Sequence, residues 1–161
     1  YVKVTILYYN PNIEPIEEYN KRKETQINLI KDYQKEGIDV DYIDVDYENE
    51  VYRNYVLGLE NEVEGGSRCT KCFTLRLTKT SSLAASLNYD FFATTLTVSP
   101  HKNSKLINEI GFEIEKKLKI RFLPSDFKKR EGYKKSIEYS KEYELYRQDY
   151  CGCLFSKRKE D

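Results

Sequence analysis

Short runs of β-branched and aromatic residues alternate along this chain with longer stretches of helical periodicity, and that alternation leaves few folds open. Val2 to Tyr9 reads as a strand, ended by Asn10-Pro11-Asn12. Glu14 to Glu36 reads as an amphipathic helix with Ile16, Tyr19, Ile27, Ile30 and Tyr33 on one side, stopped by Gly37. Val40 to Val45 is a second strand, and Glu48 to Leu59 a helix before the breaker Glu64-Gly65-Gly66-Ser67. Thr70 to Leu87 is a helix carrying Phe73, Leu77, Ala84 and Leu87 on one stripe. Phe91 to Val98 is a third strand, closed by Ser99-Pro100. Lys105 to Leu118 is a helix with Leu106, Ile110, Ile114 and Leu118 in register, followed by a short strand over Ile120 to Leu123. Gly132 to Tyr143 is a last helix, and a cysteine-bearing tail over 146–161 follows. Strands that alternate with helices predict right-handed βαβ units. The expected fold is therefore α/β: a single-domain, Rossmann-like parallel sheet with helices on both faces, covering 1–161.

A chain of 161 residues has the size of one domain and buries roughly 70% of its unfolded surface, so it needs no disulfide staple. Its 27 basic and 27 acidic side chains balance, which argues against a general nucleic-acid coat protein but leaves room for a local basic patch. No apolar run approaches the ~20 residues that span a bilayer, so no membrane role is expected. The residues after Tyr1 already read as a strand, so a further segment is expected upstream.

The four cysteines form two tight pairs: Cys69 and Cys72 in a C-x-x-C, and Cys151 and Cys153 around Gly152. In a reduced, cytoplasmic chain, such spacing points to metal or redox chemistry rather than structural disulfides. Cys69 and Cys72 sit where a glycine-rich loop enters a helix, with Arg68, Lys71 and Arg76 close in sequence. A helix N-terminus and basic neighbours both favour thiolate, the form that binds soft metals and iron–sulfur clusters. A thioredoxin-like dithiol and two ordinary buried cysteines are the other readings. Residues two apart, such as Cys151 and Cys153, reach disulfide distance if the backbone bends, and Gly152 permits that. The ring would be small and strained, which suits a bond that is made and broken. Alternatively, all four cysteines form one zinc site.

In an open parallel sheet, ligands bind beyond the carboxyl ends of the strands. Tyr8 to Asn12 follow the first strand, Asp44 and Asp46 end the second, and Thr94, Thr95, Ser99, His101, Lys102 and Asn103 surround the end of the third. These loops should meet on one rim. His101, the only histidine, is more often structural than catalytic. No glycine-rich phosphate loop follows the first strand, which weighs against an ATP-using tRNA-modifying enzyme on a similar sheet.

Ordered motifs run along nearly the whole chain. They are Tyr9-Asn10-Pro11-Asn12-Ile13-x-Pro15, Gly66-Ser67-Arg68-Cys69-x-x-Cys72-Phe73-x-Leu75-Arg76-Leu77 and Thr94-Thr95-Leu96-x-x-Ser99-Pro100, then Lys102-Asn103. Tyr146-Arg147-Gln148-x-Tyr150-Cys151-Gly152-Cys153-x-Phe155-Ser156 closes the series. Together they resemble the QueH-type epoxyqueuosine reductases.

That resemblance implies reduction of the epoxide of epoxyqueuosine in the tRNA anticodon loop to the alkene of queuosine, with a [4Fe-4S] cluster and an unidentified electron donor. It implies that Cys69 and Cys72 are cluster ligands and that Cys151 and Cys153 are the redox-active pair. A second metal ion, iron or zinc, beside the cluster could share the Lewis-acid role. The family begins with a strand and a Cys-Cys-x-x-Cys segment that supplies the other two ligands; this is the segment expected upstream of Tyr1. Candidate substrate contacts are Tyr9, Asn10, Asn12 and Arg76, then Thr94, Thr95, Ser99 and Lys102, with Arg147 and Gln148 in the tail. Lys102, Lys128, Lys129, Arg130, Lys134 and Lys135 are candidate phosphate contacts.

Overall fold

The computed structural model describes residues 2–157. The order is β1 (Val4–Leu7), α1 (Ile16–Lys35), β2 (Val40–Ile43), α2 (Asn49–Tyr55), α3 (Ser67–Ser86), β3 (Phe91–Phe92), α4 (Ser104–Leu118), β4 (Arg121–Phe122) and α5 (Gly132–Glu142). Two 3-10 turns, at Leu96–Val98 and Leu154–Ser156, complete it.

The alternation and the parallel pairing are as the sequence predicts, but the single sheet is not what forms. Among the described residues the strands make two separate two-stranded sheets, β1 beside β2 and β3 beside β4. Val4 stands opposite Val40 and Leu7 opposite Ile43; Phe91 stands opposite Arg121 and Phe92 opposite Phe122. The third strand is cut from the eight residues expected to two. After Phe92 the Thr94 hydroxyl accepts the Leu96 N–H at 3.2 Å, and Val98 N–H bonds to the Thr95 carbonyl at 3.1 Å. Threonine side chains that bond the local backbone compete with a ladder, and here they win. The two sheets touch through a side chain, Tyr89 donating to Thr5 Oγ1 at 2.9 Å.

The main core joins α3 to α4 over the second sheet. Phe73, Leu77 and Ala84 meet Ile107, Ile110 and Ile114, with Phe92, Ile120 and Phe122 beneath. Each such aliphatic or aromatic side chain contributes about 1.5–3 kcal/mol on burial. Gly111 is required on α4, because a Cβ there would lie 2.4 Å from the Phe122 ring. A tyrosine-rich cluster of Tyr8, Ile13 and Tyr19, with Tyr42 and Tyr47 against it, packs α1 on the first sheet. Two stripe residues depart from expectation: Ile16 is 42% exposed and Leu87 50%. Ile16 opens α1 and Leu87 is the C-cap of α3, so both fall off the ends of the packed faces.

Candidate functional site

A third cluster holds one cysteine from each pair, while Cys69 packs into the main core. Tyr52 of α2 and Val56 just after it pack with Cys72 of α3 and Cys153 of the tail, and Leu75 and Phe155 cover them.

The start of α3 explains the position of Cys69 and Cys72. Gly65 sits at φ +92°, turning the chain into the helix, and the Glu62 carboxylate accepts the Ser67 N–H at 3.2 Å. Arg68 is 1% exposed. Its guanidinium donates to the Leu59 and Glu60 carbonyls at 3.1 and 2.9 Å, and also to that of Glu62, tying down the preceding loop. Helix α3 therefore begins three residues earlier than predicted, and both cysteines lie inside it, one turn apart. Cys69 Sγ accepts the Gly65 N–H at 3.2 Å.

The expectation of thiolates at this helix end is overturned. Burial pushes the Cys72 thiol up to about 12 and raises that of Cys69 as well. The Gly65 N–H, Lys102 and Arg68 favour the Cys69 anion but do not outweigh its desolvation. Arg76, the basic neighbour of Cys72, is spent elsewhere: it donates to the Tyr9 carbonyl at 3.3 Å and to Asn10 Oδ1. Lys71 is exposed, above the Tyr55 ring. Both sulfurs are thus neutral until a soft cation displaces their protons. Two buried sulfur donors one turn apart suit two ligands of an iron–sulfur centre. They do not make a closed site, for among the described residues no three of His, Cys, Asp and Glu are placed to hold a metal. The four-cysteine zinc site therefore finds no support in the geometry.

The tail comes to the site over α1. Arg22, anchored on Glu18 at 2.7 Å, donates to the carbonyls of Tyr150 and Cys151 at 3.2 Å each. Glu14 N–H bonds to the Gly152 carbonyl at 2.8 Å, and Tyr150 OH donates to the Glu14 carbonyl. Gly152 has φ +107°, and a Cβ there would lie 2.7 Å from Ile13 Cγ1, so only glycine fits. Cys151 and Cys153 are free thiols here, the open form of the bond expected to be made and broken. Each sulfur has another partner: Lys102 Nζ lies 3.1 Å from Cys151 Sγ, and Tyr52 OH 3.1 Å from Cys153 Sγ. Lys102 also pairs with Glu64 at 3.4 Å. Burial works to lower the Lys102 pKa, but Cys151, Glu64 and Cys69 together raise it, so the ammonium keeps its charge. Tyr52 is raised by burial first and then by its bond to Cys153.

Other predicted residues fall into distinct roles. Tyr9 is buried, its hydroxyl on Glu48 at 2.7 Å; with Asn10 and Arg76 it fixes the loop after β1. Asn12 is 1% exposed and its Oδ1 has no hydrogen-bond partner among the described residues. Thr94 bonds its own turn, Thr95 is exposed, and Ser99 Oγ accepts the His101 N–H at 3.3 Å. His101 itself is exposed. Arg147 caps α5, donating to Ser140 Oγ at 2.8 Å and the Ser136 carbonyl at 3.3 Å, while Gln148 is exposed. Asp44 pairs with Lys23 at 2.5 Å, and with Asp46 it borders a separate cleft of about 360 Å³ between α1 and the end of β2. Lys128 turns inward to the Lys102 carbonyl and Ser104 Oγ at 3.1 and 3.0 Å, so it is no free phosphate contact. Lys129 and Lys134 are exposed. Sequence reasoning missed Arg22, Tyr52 and Glu64. Nothing local marks them, since each is defined by a residue from 38 to 129 positions away.

The sequence profile described as "Epoxyqueuosine reductase QueH" matches residues 1–159. A protein of Streptococcus pyogenes serotype M1 described by that same name is 42% identical over 159 residues, 98% of this chain and 62% of that protein. One from Staphylococcus epidermidis is 41% identical over 163 residues, covering 99% of this chain and 68% of its own length. One from Thermotoga maritima is 36% identical over 151 residues, 92% of this chain and 77% of the relative. The chain thus spans about 62% of the length of the streptococcal relative.

Proposed function

Because the chain belongs to the epoxyqueuosine reductase QueH family, we propose that it takes part in the two-electron reduction of the epoxide of epoxyqueuosine in tRNA to the alkene of queuosine. One observation carries this reading: one cysteine of each pair, far apart in sequence, packs in the same buried cluster, Cys72 with Cys153.

Cys69 and Cys72 would hold two corners of a [4Fe-4S] cluster. Such a cluster, with or without a further iron or zinc ion, supplies low-potential electrons and a Lewis acid for the epoxide oxygen. Removing that oxygen as water takes two electrons and two protons, the amount that Cys151 and Cys153 release when they close to a disulfide. Gly65 N–H and Arg68 hold the helix end around the ligands; Arg22 and Glu14 hold the C-x-C segment over them. The anticodon loop would present its base unstacked, with exposed Lys129 and Lys134 as phosphate contacts. A cytoplasmic enzyme, fed by a separate electron donor, fits this chemistry. No described helix is long and apolar enough to cross a membrane.

The test is anaerobic purification of the full-length protein, with iron and sulfide analysis and turnover on epoxyqueuosine tRNA under strong reductant. Cys69→Ser and Cys72→Ser are expected to lower iron content. Cys151→Ser and Cys153→Ser are expected to keep iron and lose turnover. Protein without iron that leaves the nucleoside unchanged would sink the reading.

A further inference from the structure

Lys102 and Tyr52 approach the C-x-C pair from opposite parts of the chain. Lys102 reaches Cys151 from the loop before α4, with a side chain only 10% exposed. Its own carbonyl is gripped by Lys128 Nζ at 3.1 Å, which fixes the stem. Tyr52 comes from α2, is 1% exposed, and its hydroxyl lies 3.1 Å from Cys153 Sγ, with either group able to donate. A buried phenol seeks a hydrogen-bond partner, and a buried ammonium seeks an anion or strong acceptor.

A disulfide sulfur has no S–H to donate to a phenol, accepts a hydrogen bond more weakly than a thiol or thiolate sulfur, and cannot ionise beside an ammonium. Both contacts are therefore worth more in the open dithiol form than in the closed one. We propose that Lys102 and Tyr52 set the reduction potential of the Cys151–Cys153 pair, holding it in the reduced state. This rests on the reading of that pair as redox-active. Stabilising the reduced form makes the disulfide, once formed, easier to reduce again.

Against glutathione the exchange balances as two cysteine thiols plus glutathione disulfide giving the internal disulfide plus two glutathione thiols. Two electrons pass to glutathione, and both protons end on its sulfurs. The full-length protein is equilibrated anaerobically over a series of glutathione ratios, quenched in acid, alkylated and mapped at Cys151 and Cys153. Lys102→Met and Tyr52→Phe are each expected to favour the disulfide about tenfold, a shift of about 30 mV to more negative potential. Lys102→Arg restores most of the potential. Tyr52→Phe keeps the ring in the core, so its result stands even if Lys102→Met loosens the loop. Unchanged potentials in both variants, or Lys102→Arg behaving like Lys102→Met, would overturn the proposal. A wild-type pair that forms no disulfide at any ratio would remove the redox reading itself.

Discussion

Glu48 shows how one side chain ties distant parts of this fold together. Its carboxylate accepts Lys79 at 2.8 Å from α3 and Tyr9 at 2.7 Å from the loop after β1. Those bonds, Lys79 first, hold its pKa below the ordinary 4.5. A folded pKa below the unfolded one means stabilisation that is complete above about 4.5 and fades as pH falls through the lowered folded value. Glu48→Gln should therefore lower Tm at pH 7, and the gap to wild type should close progressively below pH 4.5; thermal melts between pH 7 and 3 read it. A gap that stayed constant with pH would assign the loss to packing instead. The same scale shows the limit of sequence reasoning at Cys69 and Cys72. Neighbouring basic residues were visible in the chain, whereas the desolvation that overrides them was not.

Among the elements, α4 was read to within one residue at its start and to its last residue, because its apolar period is clean. Asn103 caps it, accepting the Leu106 N–H at 3.2 Å, and Lys119 closes it in the left-handed region at φ +54°. Asn103→Ala should cost about 1 kcal/mol. Lys119→Gly should stabilise by roughly 1 kcal/mol, since a side chain is strained there. Urea unfolding of both variants checks the opposite signs. The region after β3 was misread because Thr94 to Val98 has strand composition but closes a local turn. Propensity describes a half-buried pleated surface, and among the described residues no neighbouring strand is paired with these.

For the whole molecule, the decisive contact is between the tail and α1. Arg22 reaches Tyr150 and Cys151, Tyr146 OH reaches Glu18 at 3.1 Å, and Tyr143 OH reaches Glu36 at 3.0 Å. Arg22→Met should release the C-x-C segment while the α3–α4 core stays intact. Hydrogen exchange is expected to rise by about an order of magnitude or more over 146–157, with no change over α4, because losing charged donors removes roughly 1.5–3 kcal/mol per bond. Cys151 and Cys153 should also become easier to alkylate. Equal exchange in variant and wild type would show that the aromatic contacts alone dock the tail.

The amino-acid sequence by itself determined the alternation of strands and helices, the parallel pairing, and the two cysteine pairs with the motifs around them, because each is a local pattern of period, propensity or spacing. Only the tertiary structure decided that the strands pair as two sheets, that Cys69 and Cys72 are held as buried neutral thiols, and that Lys102 and Tyr52 are the partners of Cys151 and Cys153. Burial and long-range pairing arise from residues tens of positions apart, and no window along the chain contains both halves of such a contact.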